Sequence, residues 1–234
     1  YAAGLALDSA GIKGNTDILA RTDMIVAAGG GERDIAADTA ILSGLPAAEK
    51  PEAFLNERLM SDLRPTLFLA QLSNLLAGNI SIVHGVVGSS RTFMGEESAG
   101  VDAVRIAHSR IAAGQSDIAL VGGSHNAERP DLLMLYEFGG FALKNGFAPV
   151  WKRDTNAGLA LASLGAFLVI ESRAHAEARG AKRIAKLSAV LSDRSKRQPG
   201  DIATALGKLW SKISGKLQPG KAAVISGATG VAAA

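Results

Sequence analysis

The sequence has no cysteine among its 234 residues. That excludes disulfides, thiolate metal sites and a cysteine nucleophile anywhere in it, and it fits a reducing compartment. Aromatic residues are only 5% of the chain, whereas glycine occurs 27 times. A core built from such a chain must pack through small side chains, and with nearly half the residues apolar a sizeable core is available. Charge of one sign is also scarce in excess. The net charge of +3 is too small to argue for nucleic acid as a partner. No apolar run reaches the ~20 residues that a bilayer span needs. The opening YAAGLALDSAGIKG lacks a basic leader and a cleavage pattern, and reads as a helix begun upstream. The closing VISGATGVAAA stops just after an apolar run. Both ends read as cut, and the expected location is cytoplasmic.

What is present alternates between strand-like and helix-like segments, which predicts α/β layers. Tyr1 to Gly11 has helical spacing closed by glycine. Asp23 to Ala28 is a β-type run ending in Gly29-Gly30-Gly31, a turn that either packs tightly or cradles phosphate. Helices are predicted over 32–42 and 52–63, and a buried apolar stretch over 66–76. The β-branched Ile80 to Val83 reads as a short extended segment before the turn HGVVG. Arg91 to Gly95 reads as a strand, Ser98 to Ala113 as a helix burying Val101, Val104, Ala107 and Ile111, and Asp117 to Val121 as the next strand. This β-α-β unit crosses over right-handedly if its strands are parallel. Further strands are predicted over 161–170, 186–191 and 222–226. Helices are predicted over 173–179 and 201–213, and the leucine-rich 130–140 reads as a short helix or a loop.

Three long segments resemble one family, the β-ketoacyl-acyl-carrier-protein synthases. DMIVAAGGG is similar to their early strand and glycine turn. ISIVHGVVGSSRTFMGEESAGVDAVRIAHSRIAAGQSDIALVGGS is similar to their nucleophile region throughout. FAPVWKRDTNAGLALASLGAFLVIESRAHAEARGAK resembles their later "P-F-D…G…G-A…L-V-L-E" stretch. The resemblance implies a thiolase-like fold, layered α-β-α-β-α, with mixed five-stranded sheets. It implies that residues 1–150 form most of a first half and 151–234 begin a second.

The same resemblance places the family's nucleophilic cysteine at Glu97, with Gly100 at a small-residue position three places on. VISGATGV resembles the turn that carries a decarboxylating histidine. Matching Thr229-Gly230 puts that histidine at Gly227, or at Ala228 if the register slips by one. Ser163 stands near a glutamate of the family's pattern. Taken without the resemblance, Glu96 and Glu97 read as ordinary first-turn acids of a helix.

The chemistry at position 97 is restrictive. A thiolate accepts an acyl group from a carrier thioester at nearly equal energy, helped by the helix start and by backbone N–H groups. A carboxylate attacking the same thioester would form a less stable mixed anhydride. Its negative charge is still favoured at a helix start by roughly 0.3–1 kcal/mol. Three functions follow. The first is a non-condensing partner subunit, like the chain-length factors of polyketide systems, although those carry glutamine at this place. The second is an acyltransferase or decarboxylase using Glu97 as base or nucleophile. The third is a non-catalytic homodimer that binds acyl groups or acyl carriers.

Phe93 and Met94, on the strand that lies near the family's dimer interface, are expected to reach a partner's pocket. His125, after Gly122-Gly123-Ser124, either faces the cleft or is an ordinary loop histidine. His84 reads as a turn or core residue, His108 and His175 as helix-surface residues. No cofactor and no metal are expected. The expected partners are an acyl carrier protein and either a second copy or a cysteine-bearing synthase. Lys182, Arg183, Lys186, Arg194, Lys196 and Arg197 are either a surface for the acidic carrier or plain solvated charge.

Overall fold

The computed structural model describes residues 1–31, 33–95, 98–153, 157–196, 198–218 and 220–231. They fall into two compact units. The first comprises Tyr1–Leu135 and Ala162–Ile184, the second Tyr136–Leu161 and Ala185–Ala234.

The first unit is built on one sheet. Helices α1 (Ala2–Ser9) and α2 (Thr16–Leu19) precede β1 (Asp23–Ala28). Four helices follow: α3 (Ile35–Gly44), α4 (Pro51–Asp62), α5 (Pro65–Ala70) and α6 (Leu75–His84). Then come β2 (Ser90–Met94), α7 (Ala99–Ala112), β3 (Ile118–His125), α8 (Pro130–Phe138), β4 (Leu164–Glu171) and α9 (Arg173–Ala178). The strand order is β2-β1-β3-β4. β1 pairs in parallel with both β2 and β3, and β4 is antiparallel to β3. The β2-α7-β3 segment is therefore a crossover that spans β1. The sheet is mixed, as expected, with four strands among the described residues instead of five.

Both faces of the central strands are covered. Met24, Val26, Ile118 and Leu120 pack with Leu7, Ile12, Leu19, Ala77, Ile80 and Val86 on one side. Ile25, Ala119 and Val121 pack against Ala103 and Ala107 of α7 on the other. This is the two-residue alternation of strands buried on both faces. α7 lies on the sheet through alanines at four-residue spacing, Ala99, Ala103 and Ala107. Val101, expected inside, is 48% exposed. The small residues take the buried stripe because they let the helix approach the strands, and the larger Val104 and Ile111 flank it.

Four other expectations are corrected. The stretch 66–76, expected to be buried, has Leu67 inside but Leu69, Leu72 and Leu75 exposed, because the short α5 turns only part of it inward. Ile80 to Val83 is helical and ends α6, whose turn closes on Gly85 at φ 73°. The helix starts upstream at Leu75, and the apolar spacing from there overrides the local β-branching. Neither 186–191 nor 222–226 forms a strand, because neither meets a neighbouring strand to pair with among the described residues.

In the second unit, α10 (Asp201–Ser214) carries an apolar stripe whose Leu206, Leu209, Trp210 and Ile213 line a shallow groove with Ala189 and Leu191. Buried Arg153 organises the rest. Its guanidinium donates from Nε to the Ala148 carbonyl at 2.7 Å, and from one terminal nitrogen to the carbonyls of Gly158 at 2.5 Å and Thr229 at 3.3 Å. The Gly158 N–H donates to the Gly230 carbonyl at 2.8 Å. Segments 148–158 and 229–230 are thus joined.

Candidate functional site at the carboxyl edge of the sheet

Parallel pairing sets the carboxyl ends of three strands side by side. Ala28 is opposite Met94, and Ala27 is opposite Gly123. α7 starts at this edge, so its unpaired first-turn N–H groups and its partial positive charge lie there. Gly95, at φ 147°, makes the turn out of β2 in a conformation that side chains rarely adopt. Ser98 is the N-cap of α7 but gives no side-chain cap bond. Glu96 and Glu97, the acids of that turn, lie outside the described residues.

The neighbours of position 97 are described. Phe93 is half-buried and packs with Ile25, Ala103 and Val121, so its ring faces the chain's own core. Met94 is 64% exposed at the end of an edge strand. Gly100 has open space where a side chain would begin. His125 ends β3, paired with Leu164 and exposed. These four residues share one edge of one sheet. Gly227 is in the second unit, exposed and with open space around it.

Ser163, which the resemblance sets near a family glutamate, lies at this edge, beside residues that carry no signal in the sequence. The Ser163 hydroxyl donates to Asn126 Oδ1 at 3.2 Å and accepts from the Ala127 N–H at 3.0 Å, which joins the end of β3 to the approach of β4. Arg129 forms a two-pronged pair with Asp131, at 3.2 and 2.6 Å, and donates to the Gly30 carbonyl at 3.1 Å. That pairing holds the Asp131 carboxyl below the usual carboxylate range. Its partners lie 99 residues apart in sequence, which no local pattern reveals.

The opposite edge holds different chemistry. The Glu171 carboxylate faces His175 Nδ1 at 2.8 Å and accepts from Arg179 at 2.9 and 2.5 Å. Burial of Glu171 favours its neutral form, but the Arg179 and His175 hydrogen bonds outweigh that and leave its pKa lowered. His175 is therefore a partly buried bonded residue and not the surface residue expected. His84 packs its ring against Gly4 of α1, and burial lowers its pKa. No cluster of metal-ligating side chains occurs among the described residues. No described helix is long and apolar enough to cross a membrane. Of the basic residues, Arg183 already pairs with Glu177 at 2.8 Å. Arg197 lies outside the described residues.

Residues 2–176 match the family model for the β-ketoacyl synthase N-terminal domain. The chain belongs to the β-ketoacyl synthase family. The matched stretch contains Phe93, Met94, Gly100 and His125, and stops short of Gly227. Two curated relatives, both named 3-oxoacyl-(acyl-carrier-protein) synthase 2, come from Vibrio cholerae and Vibrio harveyi. Each is 27% identical over 194 residues, covering 80% of this chain and 43% of the relative. Among solved structures, a β-ketoacyl synthase from Burkholderia phymatum aligns with a TM-score of 0.57 at 23% identity, over 77% of this chain and 42% of its own. The ishigamide ketosynthase/chain length factor aligns with a TM-score of 0.55 at 26% identity, over 77% and 41%. A type II polyketide acyl-carrier protein in complex with its ketosynthase aligns with a TM-score of 0.52 at 22% identity, over 76% and 47%. The synthase-family chain spans less than half the length of these relatives, and the solved structures share its thiolase-like fold.

Proposed function

We propose that this chain is a non-condensing member of the β-ketoacyl synthase family that shapes the acyl pocket of an active, cysteine-bearing synthase. One observation carries the reading: the sequence has no cysteine. The resemblance puts the family's nucleophile position at Glu97. Thioester capture fails at a carboxylate for the chemical reason given above. In this reading Glu97 supplies a carboxylate in place of a thiol, in the sequence just ahead of α7, where negative charge is favoured. The absence of histidine at Gly227 and Ala228 supports the same reading. In it, residues 1–150 are most of the first thiolase-like half and 151–234 the start of the second.

The partner meets the free edge of β2. Among the described residues that strand is paired on one side only, by β1, and offers its other main-chain groups for pairing. Met94 is exposed at the end of that strand, while Phe93 packs against the core. The carrier is the acidic acyl carrier protein, drawn by the basic residues between 182 and 196. The relative named as a ketosynthase/chain length factor and the one bound to its acyl-carrier protein are what make these partners the first to try.

The test is assembly and turnover with purified proteins. The chain should form a stable pair with the cysteine-bearing synthase and change its product length, and a Glu97→Gln variant should do both equally well. If the chain alone turns over malonyl carrier and Glu97→Gln abolishes that, the acyltransferase or decarboxylase reading replaces this one.

A further inference from the structure

The glycine turn that follows β1 is held from across the edge by one side chain. Gly31 runs so close to the end of α5 that a Cβ there would lie 2.2 Å from the Ala70 carbonyl oxygen, so this side of the turn rests on main chain. At Gly29 and Gly30 an added Cβ would meet nothing within 4 Å. The turn's described hold is the Arg129 bond to the Gly30 carbonyl at 3.1 Å. Arg129 is itself fixed by the two-pronged pair with Asp131 in the first turn of α8, and both side chains are less than one-quarter exposed. Further along, Asp34 caps α3 by accepting from the Ala37 N–H at 3.2 Å, and meets Arg64 at 3.3 Å. The Arg64 side chain is 68% exposed, so that second tie contributes little.

We propose that Arg129 is the latch of a strap, Gly29–Gly31, at the carboxyl edge of β1 between the ends of β2 and β3. A two-pronged charged pair pre-orders the guanidinium, so the bond to Gly30 costs little further ordering. Lysine at this place keeps the charge but cannot grip Asp131 in two places and reach Gly30 together. Released, the strap moves at Gly29 and Gly30, the two glycines whose Cβ positions are open. The latch stands independently of the pairing function. Only its consequence, that opening the strap widens the approach to the acyl pocket, rests on that reading.

Amide hydrogen exchange on the whole chain tests it. In Arg129→Gln, and to a lesser degree in Arg129→Lys, exchange over 28–31 should rise about fivefold, the loss of one hydrogen bond. Amides of β3, β4 and α7 should stay as they were. Raising sodium chloride should speed the same segment in the native chain but have no further effect in Arg129→Gln. Asp131→Asn, which weakens the two-pronged pair but leaves Arg129 in place, should give an intermediate rise. Unchanged exchange over 28–31 in Arg129→Gln overturns the latch, and so does a rise spread evenly over the sheet.

Discussion

Asp23 and Arg110 close the crossover at its far end, with the guanidinium Nε donating to the carboxylate at 3.0 Å across 87 residues. Asp23 opens β1, and Arg110 lies in the last turn of α7, with side-chain exposures of 8% and 17%. The other carboxylate oxygen accepts from the Ser89 N–H, just before β2, at 3.2 Å. One buried anion therefore ties two strands and the helix whose other end carries position 97. Arg110→Met leaves this anion unpaired and should cost about 3 kcal/mol in urea unfolding. Asp23→Asn combined with Arg110→Met should cost less than the sum of the two single changes. Strict additivity would mean that the pair is not coupled.

α7 reaches the sheet only because its inner stripe is alanine. Ala103→Leu adds bulk to a fully buried position and should destabilise the fold by about 1–3 kcal/mol. Val101→Ala, on the exposed side, should stay within about 0.5 kcal/mol. Thermal unfolding of both variants checks this. A tolerated Ala103→Leu would contradict the close packing.

The Glu171–Arg179 pair predicts an acid response. Glu171 has a lower pKa folded than unfolded, so its ionised form stabilises the fold above the ordinary glutamate range. That contribution fades as pH falls through the lowered folded value. Arg179→Met should cost about 1–3 kcal/mol at neutral pH. With its main counter-charge gone, less of the pKa depression remains, so the variant should lose less stability than the native chain as pH falls. Urea midpoints measured from pH 7 down to pH 3 give the comparison. Parallel curves for the two proteins would contradict it.

Arg153 predicts a local effect in the second unit. Arg153→Leu removes the donors for three main-chain carbonyls and should free segment 226–231. Limited proteolysis should cut there at least several-fold faster, while the first unit keeps its resistance. Equal resistance in native and variant chains would contradict the role given to Arg153.

How much of this was legible in the sequence depends on the range of the interaction. β1 was read at its observed bounds, and α7 and α10 to within a residue or so, because caps and periodicity are local. β3 was read short. Its run through Gly122-Gly123 to His125 looks like a turn locally, but it is strand because β4 pairs with it throughout. At Gly122 a Cβ would lie 2.2 Å from the Ala166 carbonyl oxygen, so glycine serves a close approach there. In Ile80 to Val83 the β-branching alone points to an extended segment, and the helix that leads into it decides otherwise. The family resemblance found the β2-α7 turn, but the latch of Arg129 on Gly30 is a contact between distant segments that no spacing rule encodes.

The central claim is that Glu97 makes this chain a partner and not a condensing enzyme. The direct measurement is malonyl-carrier decarboxylation and condensation by the purified chain, with and without a cysteine-bearing synthase. The account predicts no turnover by the chain alone, and altered product length when the synthase is present. Condensation by this chain alone, abolished by Glu97→Gln, would contradict it.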